Sequence, residues 1–314
     1  MLPIGPKILQ FNGMFATAGM SLFFILSGFL IVSMLSRNTN VASFLVRRIF
    51  RIVPLAWAFL VVFLWFHGAD WAQWQSNLLF YANLRPHYLL HDSTHFWSLC
   101  VEMQFYAAIA LAVGLAGRKG LVLVPIVCAL VTAARVSHGV PIATITWWRI
   151  DEILAGGCLA LALQSPRIAE AIARLPAFTP YLVVPLLLAS SHQELIAMNY
   201  ARPYFAAFLI GSTILRTDDV LQRILCGRTL RYLAQISFAL YVIHPVTKAG
   251  WMGEGDVAVR YTKRIGSLIL CFLFAHFSTR YYEKYWIDLG HRLASKIEGK
   301  RVRKDAAVAV AHEL

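Results

Sequence analysis

Apolar residues run along this chain in long blocks, and the charged residues fall mainly between the blocks. Following the blocks predicts nine helices, near 14 to 36, 44 to 66, 95 to 115, 120 to 137, 147 to 164, 177 to 192, 203 to 216, 230 to 247 and 265 to 284. Runs of about 20 apolar residues are long enough to cross a hydrocarbon layer as a helix. The pattern therefore predicts an all-α, polytopic transmembrane helix bundle of about nine spans. Several blocks are short at their uncharged centre, so flanking Arg and Lys must snorkel outward or face the bundle interior. One domain is expected over residues 1–294, followed over 295–314 by a flexible cytosolic tail, basic at first and then rich in Ala and Val.

Composition agrees with this pattern. Of 314 residues, 59% are apolar and 14% charged, with mean hydropathy +0.61, whereas soluble domains carry about 25% charge. That excludes a soluble enzyme, a disordered chain and a secreted disulfide scaffold. If the segment after the first span is cytoplasmic, that side collects 20 of the 29 Lys and Arg. The C-terminus is then cytosolic and, with an odd number of spans, the N-terminus lies outside. The same asymmetry accounts for a formal net charge of +13 without a nucleic-acid partner. The five cysteines are scattered singly, with no spacing that would hold zinc or build a disulfide framework, so no metal is expected. The first uncharged stretch, residues 8 to 36, is too long for a signal-peptide core and reads as a retained span. An outside N-terminus without a cleavable signal predicts a further helix upstream of residue 1. Internal repeats are absent, which weakens a transporter built from inverted halves.

Polar groups gather in a few places. Phe23 to Ile31 contains Ser27 and Gly28, small residues that let helices approach closely. Arg47, Arg48 and Arg51 open the second span; they satisfy the positive-inside rule, and Arg48 and Arg51 also share a helical face suited to phosphate. Ser98 and Glu102 lie four apart on one face, and a carboxylate leading a long apolar run normally has a partner or a task. Trp97 and Tyr106 suit an interfacial aromatic belt. Arg149, Asp151 and Glu152 stand at the mouth of another span; Arg149 and Asp151, two apart, point to different sides and reach across the bundle. Ser237, Tyr241 and His244 form a polar stripe on an apolar helix, which predicts a lined cavity. His276, Arg280 and Glu283 permit a local ion pair on the last span.

Taken in order, these segments resemble the membrane-bound acyltransferase-3 family, whose members O-acylate bacterial surface and exported glycans. The resemblance rests on Phe-Phe-x-x-Ser-Gly-Phe-Leu-Ile at 23 to 31, Arg-Arg-x-x-Arg-Ile-x-Pro at 47 to 54 and Trp-Ser-Leu-x-x-Glu-x-Gln-Phe-Tyr at 97 to 106. Arg-x-Asp with its Gly pair at 149 to 157 and Ile-Ser-Phe-x-Leu-Tyr-x-Ile-His at 236 to 244 complete it. It implies a multi-pass protein of the bacterial inner membrane, with cytosolic acyl-CoA as donor substrate, expected to be acetyl-CoA, and no bound cofactor. The implied acceptor is a hydroxyl of a carbohydrate or lipid-linked glycan such as lipopolysaccharide or another polysaccharide. On this basis Arg47, Arg48 and Arg51 bind the donor; Ser98, Glu102, Tyr241 and His244 are the catalytic candidates; and Trp97, Arg149, Asp151, Ser237 and Glu283 hold substrate or structure.

Two departures from the family stand out. Its first helix normally carries a basic residue followed about eleven positions later by a catalytic histidine; here Lys7 leads to Ala18, and the first histidine is His67. His244 is the best-placed substitute. The final Glu-x-Pro of the family is replaced by Glu283-Lys284-Tyr285. A truncated, catalytically impaired homologue and a transporter or flippase for acyl groups or glycans are the rival expectations.

Overall fold

The computed structural model describes residues 6–86, 88–216, 220–248 and 254–312, all of its regular structure helical. The α-helices are α1 (Pro6–Arg37), α2 (Val41–Phe66), α3 (Trp71–Leu78), α4 (Trp97–Ala116), α5 (Leu123–Ser137), α6 (Thr146–Arg149), α7 (Asp151–Ala162) and α8 (Pro166–Ala173). They continue as α9 (Thr179–Ala189), α10 (Ile196–Asn199), α11 (Arg202–Ile214), α12 (Val220–Leu225), α13 (Arg228–Ile243), α14 (Val257–Phe277) and α15 (Lys284–His312).

Each predicted block is helical, but the helices differ in reach. Among the described residues, three stretches are long and apolar enough to cross a membrane: Phe11–Arg37, Val41–Phe66 and Ser93–Ser137. Gly117, with φ of 56°, ends α4, and the 3-10 turn that follows packs back against that helix. The apolar stretch Ser93–Ser137 is thereby split into α4 and α5, where the sequence pattern placed two blocks. Helices α7, α9 and α11 have 12, 11 and 13 residues. At 1.5 Å per residue they reach about 16 to 20 Å, short of a hydrocarbon core of about 30 Å. Buried charge explains two of these short helices: Asp151 and Glu152 open α7, and Arg202 opens α11, all three shut away inside the protein.

The chain forms two compact units. The first comprises Met1–Arg37, Phe80–Leu89 and Thr94–Arg231. Its centre is the pairing of α1 with α7, against which α5 and α11 pack; α9 lies on α11, and α4 meets α1 and α6. Phe24, Ile25, Ile31, Val32 and Leu35 of α1 and Ile153 of α7 are fully buried there.

The second comprises Asn38–Leu79, Leu90–Ser93 and Tyr232–Leu314. Here α15 packs along α2. Helix α2 starts at Asn40, whose side chain accepts the Ser43 amide at 3.1 Å, the usual way an Asn satisfies an open helix N-terminus. Helix α3 opens with a reciprocal Asp70–Gln73 capping box. A π-helical turn over Ser278–Glu283 joins α14 to α15. The tail expected to be flexible from Ser295 is instead helical through His312. Part of the reason is Glu298, which accepts hydrogen bonds from Ser43 Oγ at 2.6 Å and from Arg47 Nη2 at 2.9 Å, fixing α15 to the start of α2.

Candidate functional site

In the first unit the polar residues of α1, α4, α6, α7 and α11 turn inward. Glu102 of α4 is 6% exposed. Its Oε1 accepts the Ser27 hydroxyl of α1 at 2.6 Å and also the Tyr106 hydroxyl one turn further along α4. The two hydroxyl oxygens are 3.4 Å apart, so the three groups close a triangle. The spacing of Glu102 and Tyr106 puts both on one helical face, and the small Ser27 lets α1 come close enough to meet them. Tyr106 is fully buried, so it belongs to this interior rather than to an interfacial belt. Ser98, buried on the same face, donates to its own helix entrance at the His95 carbonyl, 3.4 Å away.

A network of buried charge lies beside this triangle. Arg149 is 2% exposed, its guanidinium 5.3 Å from the Trp97 ring centre and 6.0 Å from that of Phe24. Planar guanidinium over an aromatic face is a favourable desolvated arrangement. Its ion pair is with Glu152, at 3.2 Å. Glu152 Oε1 also accepts from Arg202 Nε at 2.9 Å and from Ser21 Oγ at 3.0 Å, and Arg202 reaches Asn199 Oδ1 at 2.8 Å. Asp151 turns the other way and pairs with Arg135 of α5, both side chains fully buried. Arg149 and Asp151 thus take different partners, as their spacing requires.

Among the described residues, the buried charges of this unit balance: Arg135, Arg149 and Arg202 against Glu102, Asp151 and Glu152. Within it Arg149 Nε and Asp151 Oδ1 make no protein hydrogen bond. Arg135, Arg202 and Ser21 were not legible as site residues in the sequence. The two arginines sit at the ends of apolar blocks, where they count as flanking charge, yet arginine within membrane segments usually faces the interior with a partner.

Gln104 makes a third polar contact on α4. Its Nε2 donates to the Phe80 carbonyl at 2.8 Å and to Asn83 Oδ1 at 3.0 Å, and Asn83 donates on to Thr144 O and Thr146 Oγ1. Phe80 has φ of 58°, a left-handed conformation that costs a bulky residue free energy. Gln104 is therefore the latch that holds the 80–83 loop on α4.

The second unit carries the other nominated residues. Arg47 is tied to Glu298, at 2.9 and 3.0 Å from its two oxygens. Arg48 is half-buried, and Arg51 is exposed and close enough for its charge to act on Glu283. Glu283, buried in the π-helical turn, accepts the Thr279 hydroxyl at 2.7 Å. Ser237 is exposed and donates to the Ala234 carbonyl at 2.9 Å. Tyr241 is half-buried; His244 is exposed, opens a 3-10 turn beyond the end of α13, and bonds the Tyr241 carbonyl through Nδ1 at 2.8 Å. His276 bonds the Tyr232 hydroxyl at 2.9 Å, a contact between distant segments that spacing alone does not show.

The nominated residues therefore divide between the units. Trp97, Ser98, Glu102, Arg149 and Asp151 lie in the first; Arg47, Arg48, Arg51, Ser237, Tyr241, His244 and Glu283 lie in the second. Among the described residues, no three His, Cys, Asp or Glu side chains come together as metal ligands.

The acyltransferase-3 family model, described as an acyltransferase domain, matches residues 2–276. No curated protein matches the chain, and no solved structure does.

Proposed function

The chain belongs to the acyltransferase-3 family, and from that premise we propose that it is an integral membrane O-acyltransferase. It moves an acyl group, acetyl in the simplest case, from acyl-CoA to a hydroxyl of a cell-surface or exported carbohydrate. The observation that carries this reading is Glu102, a buried carboxylate held by the hydroxyls of Ser27 and Tyr106 within the family segment Trp97 to Tyr106. A carboxylate aligned by fixed donors, in a site closed to water, is equipped for proton transfer.

In the proposed reaction the acceptor hydroxyl oxygen attacks the thioester carbonyl carbon. Its proton passes to Glu102, the carbon–sulfur bond breaks as the ester forms, and the proton finishes on the sulfur of coenzyme A. The neighbouring Arg149, stacked on Trp97, supplies fixed positive charge for the oxyanion that develops. Ser98, one turn before Glu102 on the same face of α4, is a positioning residue, and Asp151 keeps a structural role through its pair with Arg135. In the second unit, Arg48 and Arg51 are proposed to take the phosphates of the donor, with Arg47 in a structural role through Glu298. Tyr241 and His244 form a separate candidate pair there, and histidine is the side chain best suited to a base at neutral pH.

The test is transfer of label from acyl-CoA into the carbohydrate fraction of membranes carrying the full chain. Glu102→Gln and His244→Ala, assayed separately and normalised to folded protein, should each lower transfer at least tenfold if both serve. Full transfer by Glu102→Gln overturns the assignment of the base. Movement of label across the membrane without covalent transfer overturns the acyltransferase reading itself.

A further inference from the structure

Glu152, in the first turn of α7, carries one negative charge between two guanidinium groups. Arg202 of α11 lies 2.9 Å from its Oε1 through both Nε and Nη2, while Arg149 of α6 reaches Oε2 at 3.2 Å. All three side chains are shut away from solvent, and arginine keeps its charge even when buried. The cluster therefore holds one positive charge more than its carboxylate cancels. The neighbouring Arg135–Asp151 pair is neutral as a pair and leaves that sum unchanged.

The two arginines are not held alike. Arg202 is tied further, donating from Nε to Ser21 Oγ at 3.0 Å and from Nη1 to Asn199 Oδ1 at 2.8 Å. Arg149 has the longer ion pair, keeps its Nε without a protein hydrogen bond and lies over the Trp97 ring. The surplus charge therefore resides with Arg149. Phe24, whose ring centre is 6.0 Å from that guanidinium, stands one turn of α1 before Ser27, which bonds Glu102. A buried charge in excess of its local partners is costly and normally has a task.

Taking Arg202 away would end that surplus. Arg149 would then have to answer Glu152 by itself, and a closed ion pair has little charge to offer a developing oxyanion. We propose that Arg202 is a positioning residue for acyl transfer, holding Glu152 so that the charge of Arg149 stays available to the oxyanion, a role that rests on the one given to Arg149 above. Charge arithmetic then makes an unusual demand. Arg202→Gln lowers the cluster from one surplus positive charge to none, and adding Glu152→Gln returns it to one. Removing the carboxylate should therefore rescue the loss of the arginine.

The experiment is single-turnover transfer of label from acetyl-CoA into membrane carbohydrate by the full chain, counted per folded molecule. Arg202→Gln should slow transfer at least tenfold while the donor concentration giving half the maximal rate stays unchanged. Arg202→Gln with Glu152→Gln should return to within about threefold of the intact protein, as should Arg202→Lys, which keeps the charge. A merely structural Arg202 gives the opposite order, because the double variant has lost the most contacts. Full transfer by Arg202→Gln, or a double variant as slow as Arg202→Gln, overturns the proposal. Arg149→Gln separates the two readings. Full transfer by that variant sinks the oxyanion role of Arg149 and this proposal with it, whereas slow transfer without rescue in the double variant sinks the role of Arg202 alone. Because these variants can lose stability, thermal unfolding follows the same cycle without substrate. Arg202→Gln should lower the midpoint of the intact protein and raise that of Glu152→Gln, where it relieves an unmatched cation; equal lowering in both backgrounds shows that Arg202 does not act through Glu152.

Discussion

Gly28 of α1 and Gly156 of α7 meet backbone to backbone. A Cβ on Gly28 would fall 1.8 Å from the Ile153 carbonyl oxygen, and one on Gly156 would fall 2.0 Å from that of Ile25. Real Cβ atoms do not approach carbonyl oxygens so closely, and neither obstacle is a flexible side chain that could swing away. This crossing brings Ser21 of α1 to Glu152 of α7, and the same helix α1 carries Ser27, which meets Glu102 of α4.

Substituting either glycine by alanine should therefore separate α1 from α7. The expected loss is about 3 kcal/mol or more, in the range of overpacking at a tight contact or above it. Gly19 and Gly114, also helical, would place a Cβ in open space. Alanine there should be neutral or stabilising by about 0.5 to 1 kcal/mol through helix propensity. Thermal unfolding of the four variants in one detergent checks the contrast, and equal behaviour of all four would refute the close crossing.

Arg135 and Asp151 form a buried pair whose worth lies in keeping each other neutralised. Arg135→Met leaves the Asp151 carboxylate with the Thr132 hydroxyl at 3.5 Å in place of its ion pair, and removing one partner of such a pair costs about 3 to 5 kcal/mol. Arg135→Met combined with Asp151→Leu should recover about half of that or more. Recovery stays incomplete because Arg135 also donates to the carbonyls of Val140 and Pro141, which lose that donor in both variants. Denaturation of the singles and the double closes the cycle; a double variant no more stable than Arg135→Met alone would show that the pairing is not what matters.

Much of the architecture was legible in the sequence because burial in a bilayer writes itself as long apolar blocks. Every block is helical, and Ser27, Glu102, Arg149 and Glu152, all inside quoted segments, meet in one buried region. The division into two units was not legible, since unit 2 joins residues 38–79 to residues beyond 232 with no change of composition at either boundary. Nor were Arg135 and Arg202, because a charge at the end of an apolar block has the same sequence signature whether it snorkels to water or folds inward. Glu298 was missed for a related reason: a basic, Ala/Val-rich tail looks frayed unless one of its few acids finds a fixed cation. The family resemblance assigns Arg47 to the donor, and only the structure shows it held by that glutamate.

Gln104 should matter more than its neutral side chain implies. Both of its hydrogen bonds go to the 80–83 loop, and Phe80 holds a left-handed backbone there. Gln104→Ala leaves a buried carbonyl and Asn83 short of a donor, a loss of about 1 to 3 kcal/mol. The expected result is faster backbone hydrogen exchange confined to residues near 80–83 and 144–146. Unchanged exchange in that loop would remove the latch from the account.

Glu102 separates a structural from a chemical role. It is buried and holds two hydroxyl donors, so Glu102→Gln, which keeps the shape and a carbonyl acceptor, should lower stability by only about 1 to 3 kcal/mol. If Glu102 takes the acceptor's proton, transfer per folded molecule should fall by about 10² to 10⁴, the usual contribution of general base catalysis. Tyr106→Phe removes one donor and leaves the carboxylate, so its transfer rate should fall by less than that of Glu102→Gln. Ser27→Ala should resemble Tyr106→Phe, since each deletes one side of the same triangle. The ranking is read from single-turnover transfer with labelled acyl-CoA, with folded protein counted by size-exclusion chromatography. A Glu102→Gln protein that is folded and as fast as Tyr106→Phe would make the carboxylate a packing element of α1 and α4 and move the search for the base to His244.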